Sequence, residues 1–227
     1  FPAYKEQKSI APMYHALQKE ILPWLSDRYD FEMIFVDDGS PDAGKTRWEI
    51  LILASQDQMV KGIHFSRNFG KEIALTAGIQ ASRGDAVITL DVDGQHPISK
   101  IADFISTREQ WYDIVYNKRP KIKGAGRFKR VSSKLFYKCF NAISVFKLEA
   151  QTTDYRLLDR KVVNVFLQFK EKNRMYRGLI DLLGFEKKAL IFDALANPDG
   201  RVASYNYNKL MKLALDSLTS FSVWPLK

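Results

Sequence analysis

Cysteine is almost missing from this chain. Cys139 stands alone among 227 residues, so no disulfide can close within it, and with only three scattered histidines a zinc site is not expected. A reducing, cytosolic setting follows as the expectation. Long apolar runs are missing too: stretches such as Ala86 to Leu90 fall far short of the roughly 20 residues that cross a bilayer, and no signal-peptide pattern precedes them. Both ends, Phe1-Pro2-Ala3-Tyr4 and Trp224-Pro225-Leu226-Lys227, read as cuts through a longer polypeptide. Internal repeats and low-complexity segments are absent, which excludes solenoids and linker-rich arrays and leaves one domain over residues 1–207 as the expectation.

Acidic residues are lacking from one region in particular. Between Ile114 and Leu148 there are ten Lys or Arg and no Asp or Glu, while the rest of the chain, with 25 basic and 26 acidic residues, is close to neutral. The net charge of +9 is therefore concentrated, which points either to an anionic partner such as phosphate or lipid head groups or to a solvated basic loop.

What is present is a set of short β-forming runs that end in acidic or turn-forming residues. Phe31 to Val36 precedes Asp37-Asp38-Gly39-Ser40, Val60 to Phe65 precedes Ser66-Arg67-Asn68, and Ala86 to Leu90 precedes Asp91-Val92-Asp93. Continuous apolar runs of this length read as buried parallel strands. Helical spacing lies between them, over Ala43 to Ser55 and over Lys71 to Ser82, with Ile73, Ala74, Ala77 and Gly78 on one face of the second. The alternation predicts an α/β, Rossmann-like, mainly parallel sheet flanked by helices, with its ligand site at the carboxyl ends of the strands. Further strands are expected at Asp113 to Tyr116 and Thr152 to Leu158, and helices at Val131 to Val145, Arg160 to Phe169 and Arg174 to Leu183. A last helix, roughly Asn208 to Phe221, carries Leu210, Leu213, Ala214, Leu218 and Phe221 on one stripe. With Trp224 following, residues 208–227 suit either a core-facing helix or one lying beside a membrane.

The chemistry concentrates at the strand ends. Asp91, Asp93 and the amide of Gln95 leave the sheet on one loop, and oxygen donors of this kind suit Mg²⁺ or Mn²⁺. An ion held there would bridge the phosphates of a nucleotide sugar and stabilise the departing diphosphate. Asp38 either meets a ribose or belongs to a turn that caps the next helix. His96 either contacts a phosphate or serves the start of a helix.

Taken in order and spacing, Pro2-Ala3-Tyr4-Lys5-Glu6, Val36-Asp37-Asp38-Gly39-Ser40, Ser66-Arg67-Asn68-Phe69-Gly70-Lys71 and Asp91-Val92-Asp93-Gly94-Gln95-His96-Pro97 resemble the family 2 glycosyltransferases. Ser133-Lys134-Leu135-Phe136-Tyr137, Asp154-Tyr155-Arg156-Leu157-Leu158-Asp159-Arg160 and Arg177-Gly178-Leu179 narrow the likeness to those that act on polyprenyl phosphates. The resemblance implies a GT-A fold, the fold of nucleotide-diphospho-sugar transferases. It implies that Pro2, Tyr4, Glu6 and Asp38 line the nucleotide and that Asp91, Asp93 and Gln95 gather around a metal ion. Asp91 is counted with the nucleotide-sugar residues as well, and Asp93, Asp154 and Arg119 are the candidates for catalysis. By the same likeness Arg119 and, in the following loop, Arg127, Arg130 and Lys134 meet phosphates of donor and acceptor, and a segment such as Leu213 to Leu226 leads into transmembrane helices in membrane-bound members. Arg156 is a further candidate for the acceptor phosphate. Lys5 departs from the family, which usually has Asn there.

A polyprenyl monophosphate is already anionic at neutral pH and attacks without a general base, whereas a sugar hydroxyl needs one. The expectation is a single in-line displacement with inversion, at the cytoplasmic face of a membrane. Asp154 is either a base, which would fit a hydroxyl acceptor, or the partner of Arg156 in an ion pair. A nucleic-acid-binding module is disfavoured, because the acidic strand ends would repel a phosphate backbone. Self-association is left open.

Overall fold

A computed structural model describes residues 1–120, 152–169 and 176–195. Three parallel strands open the chain: β1 (Pro2–Ala3), β2 (Met33–Asp37) and β3 (Val60–His64), paired in the order β1-β2-β3. Helices α1 (Gln7–Glu20), α2 (Leu22–Leu25) and α3 (Lys45–Gln56) connect them, and α4 (Lys71–Ala81) follows β3. Every residue of β2 is buried, as its unbroken apolar run requires of a strand covered on both faces. Its side chains alternate between layers. Met33 and Phe35 pack with Ile10, Met13 and Leu17 of α1 and Ile50 and Leu53 of α3, whereas Ile34 and Val36 pack with Ala74 of α4.

A second sheet has the order β4-β6-β5-β7, from β4 (Ala86–Thr89), β5 (Ile114–Lys118), β6 (Thr152–Asp159) and β7 (Lys187–Ile191). Here the expectation that the run from Ala86 to Leu90 joins the other two in one parallel ladder is corrected. β4 pairs antiparallel with β6, and β5 pairs antiparallel with the other edge of β6. β4 and β5 thus run the same way, joined through α5 (Ile101–Glu109), with β6 inserted between them. β7 is parallel to β5, so three of the five pairings among the described residues are parallel. One core bridges the sheets: Ala3 and Phe35 of the first join Leu90, Val115, Tyr155 and Leu157 of the second.

The expected strands and helices fall close to their observed bounds, including α6 (Arg160–Gln168) and α7 (Tyr176–Leu182). Helix α3 begins at Lys45 rather than Ala43 because Ala43 and Gly44 both have positive φ, 56° and 79°. On α4 the buried face is Ala74, Leu75 and Ile79, while Ile73 is exposed. Strand β1, helices α2 and α5 and strand β7 were not foreseen. β7 is an edge strand whose lysines face solvent, so it carries no buried-strand signal. The helices expected at Val131 to Val145 and Asn208 to Phe221 lie outside the described residues. Among the described residues, no helix is long and apolar enough to cross a membrane.

Candidate active site

The carboxyl ends of β1, β2 and β4 meet the start of α4 around one open cleft, lined by Pro2, Ala3, Tyr4, Glu6, Asp38, Lys71, Asp91, Val92 and Asp93. Five expected donor-site residues therefore share a cavity with the expected metal ligand Asp93.

Two tight loops meet beside it, at Asp38. Asp37 Oδ1 accepts the N–H and hydroxyl of Ser40, 3.0 and 2.6 Å away, and closes the Asp-Gly-Ser turn. The turn reading is thus met by Asp37 and not by Asp38. Asp38 accepts from Asn68 Nδ2 at 2.9 Å, from the Phe69 N–H at 2.8 Å and from the Gly70 N–H at 3.0 Å, anchoring residues 67–70 beside the cleft. Between the loops Gly39 sits at φ 61°, and a Cβ there would lie 2.1 Å from the carbonyl carbon of Arg67. Only glycine fits that approach.

A charge cluster reaches the cleft through Lys71 and Asp91. Lys71 Nζ lies 2.7 Å from Asp91 Oδ1, 2.8 Å from Asp91 Oδ2 and 2.7 Å from Asp154 Oδ2. Arg177 of α7 grips Asp154 from the other side, with Nε 2.5 Å from Oδ1 and Nη2 3.1 Å from Oδ2. Burial on its own would push the Asp154 carboxyl up, but Lys71 and Arg177 outweigh it and hold the group well below the usual carboxylate range. Asp91 is lowered in the same way, burial being outweighed by His96 and Lys71. Lys71 is raised, because the two carboxylates overcome the effect of its own burial. All three groups stay charged near neutrality.

The Asp91–Gln95 loop is braced from behind. His96 is buried, its Nε2 3.6 Å from Asp91 Oδ2, its ring centroid 5.1 Å from that of Tyr155. Tyr155 stacks on Phe104 of α5 and donates its hydroxyl to the Pro97 carbonyl at 3.3 Å. Asp93 Oδ1 accepts the Gln95 N–H at 3.0 Å, and the Gln95 carbonyl accepts the Leu195 N–H at 2.8 Å. His96 thus belongs to the packing behind the loop.

A divalent ion fits the donor set. Asp91 and Asp93 bring two carboxylates to the cleft, hard oxygen donors of the kind such an ion takes, and one cation, the Lys71 ammonium, already sits on Asp91. Among the described residues no group of three His, Cys, Asp or Glu side chains gathers for a metal, and Gln95, the third expected ligand, is held through its backbone and does not line the cleft with Asp91 and Asp93.

Arg156 needs correction as an acceptor residue. Its side chain is wholly buried, its guanidinium lies over Tyr116 and Tyr176, and Nη1 reaches Asp181 at 3.5 Å. The expected Asp154–Arg156 ion pair is not formed either, since Asp154 is taken by Lys71 and Arg177. Arg119 lies exposed just past β5 and does not line the cleft. Arg127, Arg130 and Lys134 lie outside the described residues. Lys71 and Arg177 were missed as site residues, although both stand inside the motif strings that carry the family likeness.

Comparison with known proteins decides the family. The sequence model of glycosyl transferase family 2 matches residues 1–170. The chain belongs to the family 2 glycosyltransferases. Over its whole length this transferase is 36% identical to a glycosyltransferase of Synechocystis sp., of which it spans 69%. It is also 36% identical to the bactoprenol glucosyl transferase of Shigella phage SfV, spanning 72% of that protein. Among solved structures, glucosyl-3-phosphoglycerate synthase of Mycobacterium tuberculosis, bound to Mn²⁺, UDP-glucose and phosphoglyceric acid, has a TM-score of 0.53 at 18% identity, covering 96% of this chain and 77% of that one. This likeness shows the GT-A fold of the transferase.

Proposed function

We propose that this transferase moves a sugar from a nucleotide-diphosphate sugar to a polyprenyl phosphate, with Mg²⁺ or Mn²⁺, at the cytoplasmic face of a membrane. The observation that carries the donor half is the shared cleft of Pro2, Tyr4, Glu6, Asp38, Asp91 and Asp93 at the strand ends. Asp38 and the 67–70 loop shape the wall for the nucleoside, and Asp91, Asp93 and Gln95 would hold the ion near the diphosphate. Bound there, the ion would supply Lewis-acid stabilisation of the leaving nucleoside diphosphate.

The acceptor half rests on the identity to bactoprenol glucosyl transferases and on the ten basic residues between Ile114 and Leu148. An oxygen of the acceptor phosphate attacks the anomeric carbon, the new C–O bond forms as the bond to the diphosphate breaks, and configuration inverts. Asp154, held ionised between Lys71 and Arg177, is poorly placed to take a proton, which suits an acceptor that has none to give. Arg119, Arg127, Arg130 and Lys134 are the proposed contacts of the acceptor phosphate. Residues 208–227 are proposed to lie against the membrane.

The test incubates the protein in detergent with Mn²⁺, a short polyprenyl phosphate and a panel of labelled UDP and GDP sugars. Label entering the organic phase with one donor, and lost in Asp93→Asn, is the expected result. Release of nucleotide with all label left in water would overturn the acceptor, and no release with any donor would overturn the transfer reaction itself.

A further inference from the structure

Asp91 cannot hold Lys71 as it does now and also ligate a divalent ion. Both of its oxygens lie within 2.8 Å of the same ammonium, whereas Mg²⁺ or Mn²⁺ takes carboxylate oxygens at about 2.0–2.2 Å and would share them with a second cation at close range. Lys71 has somewhere to go. It is the first residue of α4, its side chain is 41% exposed, and it sits on a flexible stem beside the open cleft. Asp154, only 3% exposed, would not be left bare, because Arg177 holds both of its oxygens independently. The four groups Lys71, Arg177, Asp91 and Asp154 balance in charge, so the cluster is neutral while the ion is away.

We propose that Lys71 is a resident cation of the metal site, which seats Asp91 and Asp154 in the unloaded enzyme and is displaced from Asp91 when the divalent ion binds. This rests on the reading of Asp91, Asp93 and Gln95 as metal ligands. Lys71 is then a positioning residue: it keeps the two carboxylates from repelling each other and sets the threshold concentration of metal at which the site fills.

The test measures Mn²⁺ binding without nucleotide, by the fall in the electron-spin resonance signal of free Mn²⁺, for the wild type, Lys71→Met, Lys71→Gln, Lys71→Arg and Asp93→Asn. Removing the competing charge in Lys71→Met or Lys71→Gln is expected to tighten Mn²⁺ binding by about tenfold or more, with Lys71→Arg within about twofold of wild type. Unchanged or weaker binding in the neutral variants would overturn the proposal. Asp93→Asn separates the two readings: if it binds Mn²⁺ as the wild type does, the metal site itself is wrong. A second measurement needs no variant at position 71. Reductive methylation of wild-type Lys71, followed by mass spectrometry, is expected to speed up when saturating Mg²⁺ frees the ammonium, and not to do so in Asp93→Asn. A Lys71 rate that Mg²⁺ leaves unchanged or slows would count against displacement.

Discussion

Replacing Asp154 by Asn separates a base from a charge anchor. Asp154 is 3% exposed and its two cations are 41% and 40% exposed. Removing one partner of a fully buried ion pair costs about 3–5 kcal/mol, but Lys71 and Arg177 can each turn to solvent, and Lys71 keeps Asp91. The expected loss is therefore about 2 kcal/mol, or about 4–8 °C in melting temperature for a chain of this size. The pH dependence follows from the direction of the shift. A carboxyl lowered in the folded state stabilises fully above its unfolded value, here 3.8, and its contribution drains away only as the pH falls through the folded value beneath that. Between pH 5 and 8 the stability difference between wild type and Asp154→Asn should stay flat. The acid limb of kcat/KM for transfer to polyprenyl phosphate should likewise show no step that belongs to Asp154. Thermal melts and initial rates across that range decide it. An ascending limb near pH 6 to 7 that disappears in Asp154→Asn would make Asp154 a general base and refute the reasoning.

Three other outcomes follow from the same geometry. Lys5 holds φ 59° beside Ser40, a conformation that Asn adopts more readily, so Lys5→Asn should raise the melting temperature by about 1–2 °C in calorimetry. Gly39→Ala must push apart two loops that meet at the Arg67 backbone; chemical denaturation should show a loss of at least about 2 kcal/mol, and nucleotide affinity should fall with it. Arg156→Met should lower stability through the loss of its bonds to Thr153 and Asp181, while Lys187 still lies 3.7 Å from Asp181; steady-state kinetics should show an acceptor KM within about twofold of wild type.

Much of the cleft was legible in the sequence because it is local. The apolar run into Asp37-Asp38-Gly39-Ser40 and the run into Asp91-Val92-Asp93 each encode a strand and the acidic loop that leaves it, and the fold needs only to set these ends side by side. The pairing of β4 was not legible, since an apolar run states that a strand is buried and not which strand borders it. Lys71 and Arg177 were hidden for a similar reason. A lysine opening a helix after Gly70 looks like an ordinary surface residue, and its meaning comes from Asp154, which the second sheet brings to it. The burial of Arg156 was not legible either: it shares a strand face with Asp154, but that face passes under Tyr176 and Asp181 of α7 two residues further on.

The central claim, that the acceptor nucleophile is a phosphate oxygen, is tested most directly by offering the transferase, with its donor and Mn²⁺, either a polyprenyl phosphate or the same polyprenol without its phosphate, and weighing the products by mass spectrometry. A polyprenyl-phosphate sugar is expected from the first and no product from the second. Sugar transferred to the bare alcohol, or to neither lipid while a saccharide hydroxyl is glycosylated, would contradict it.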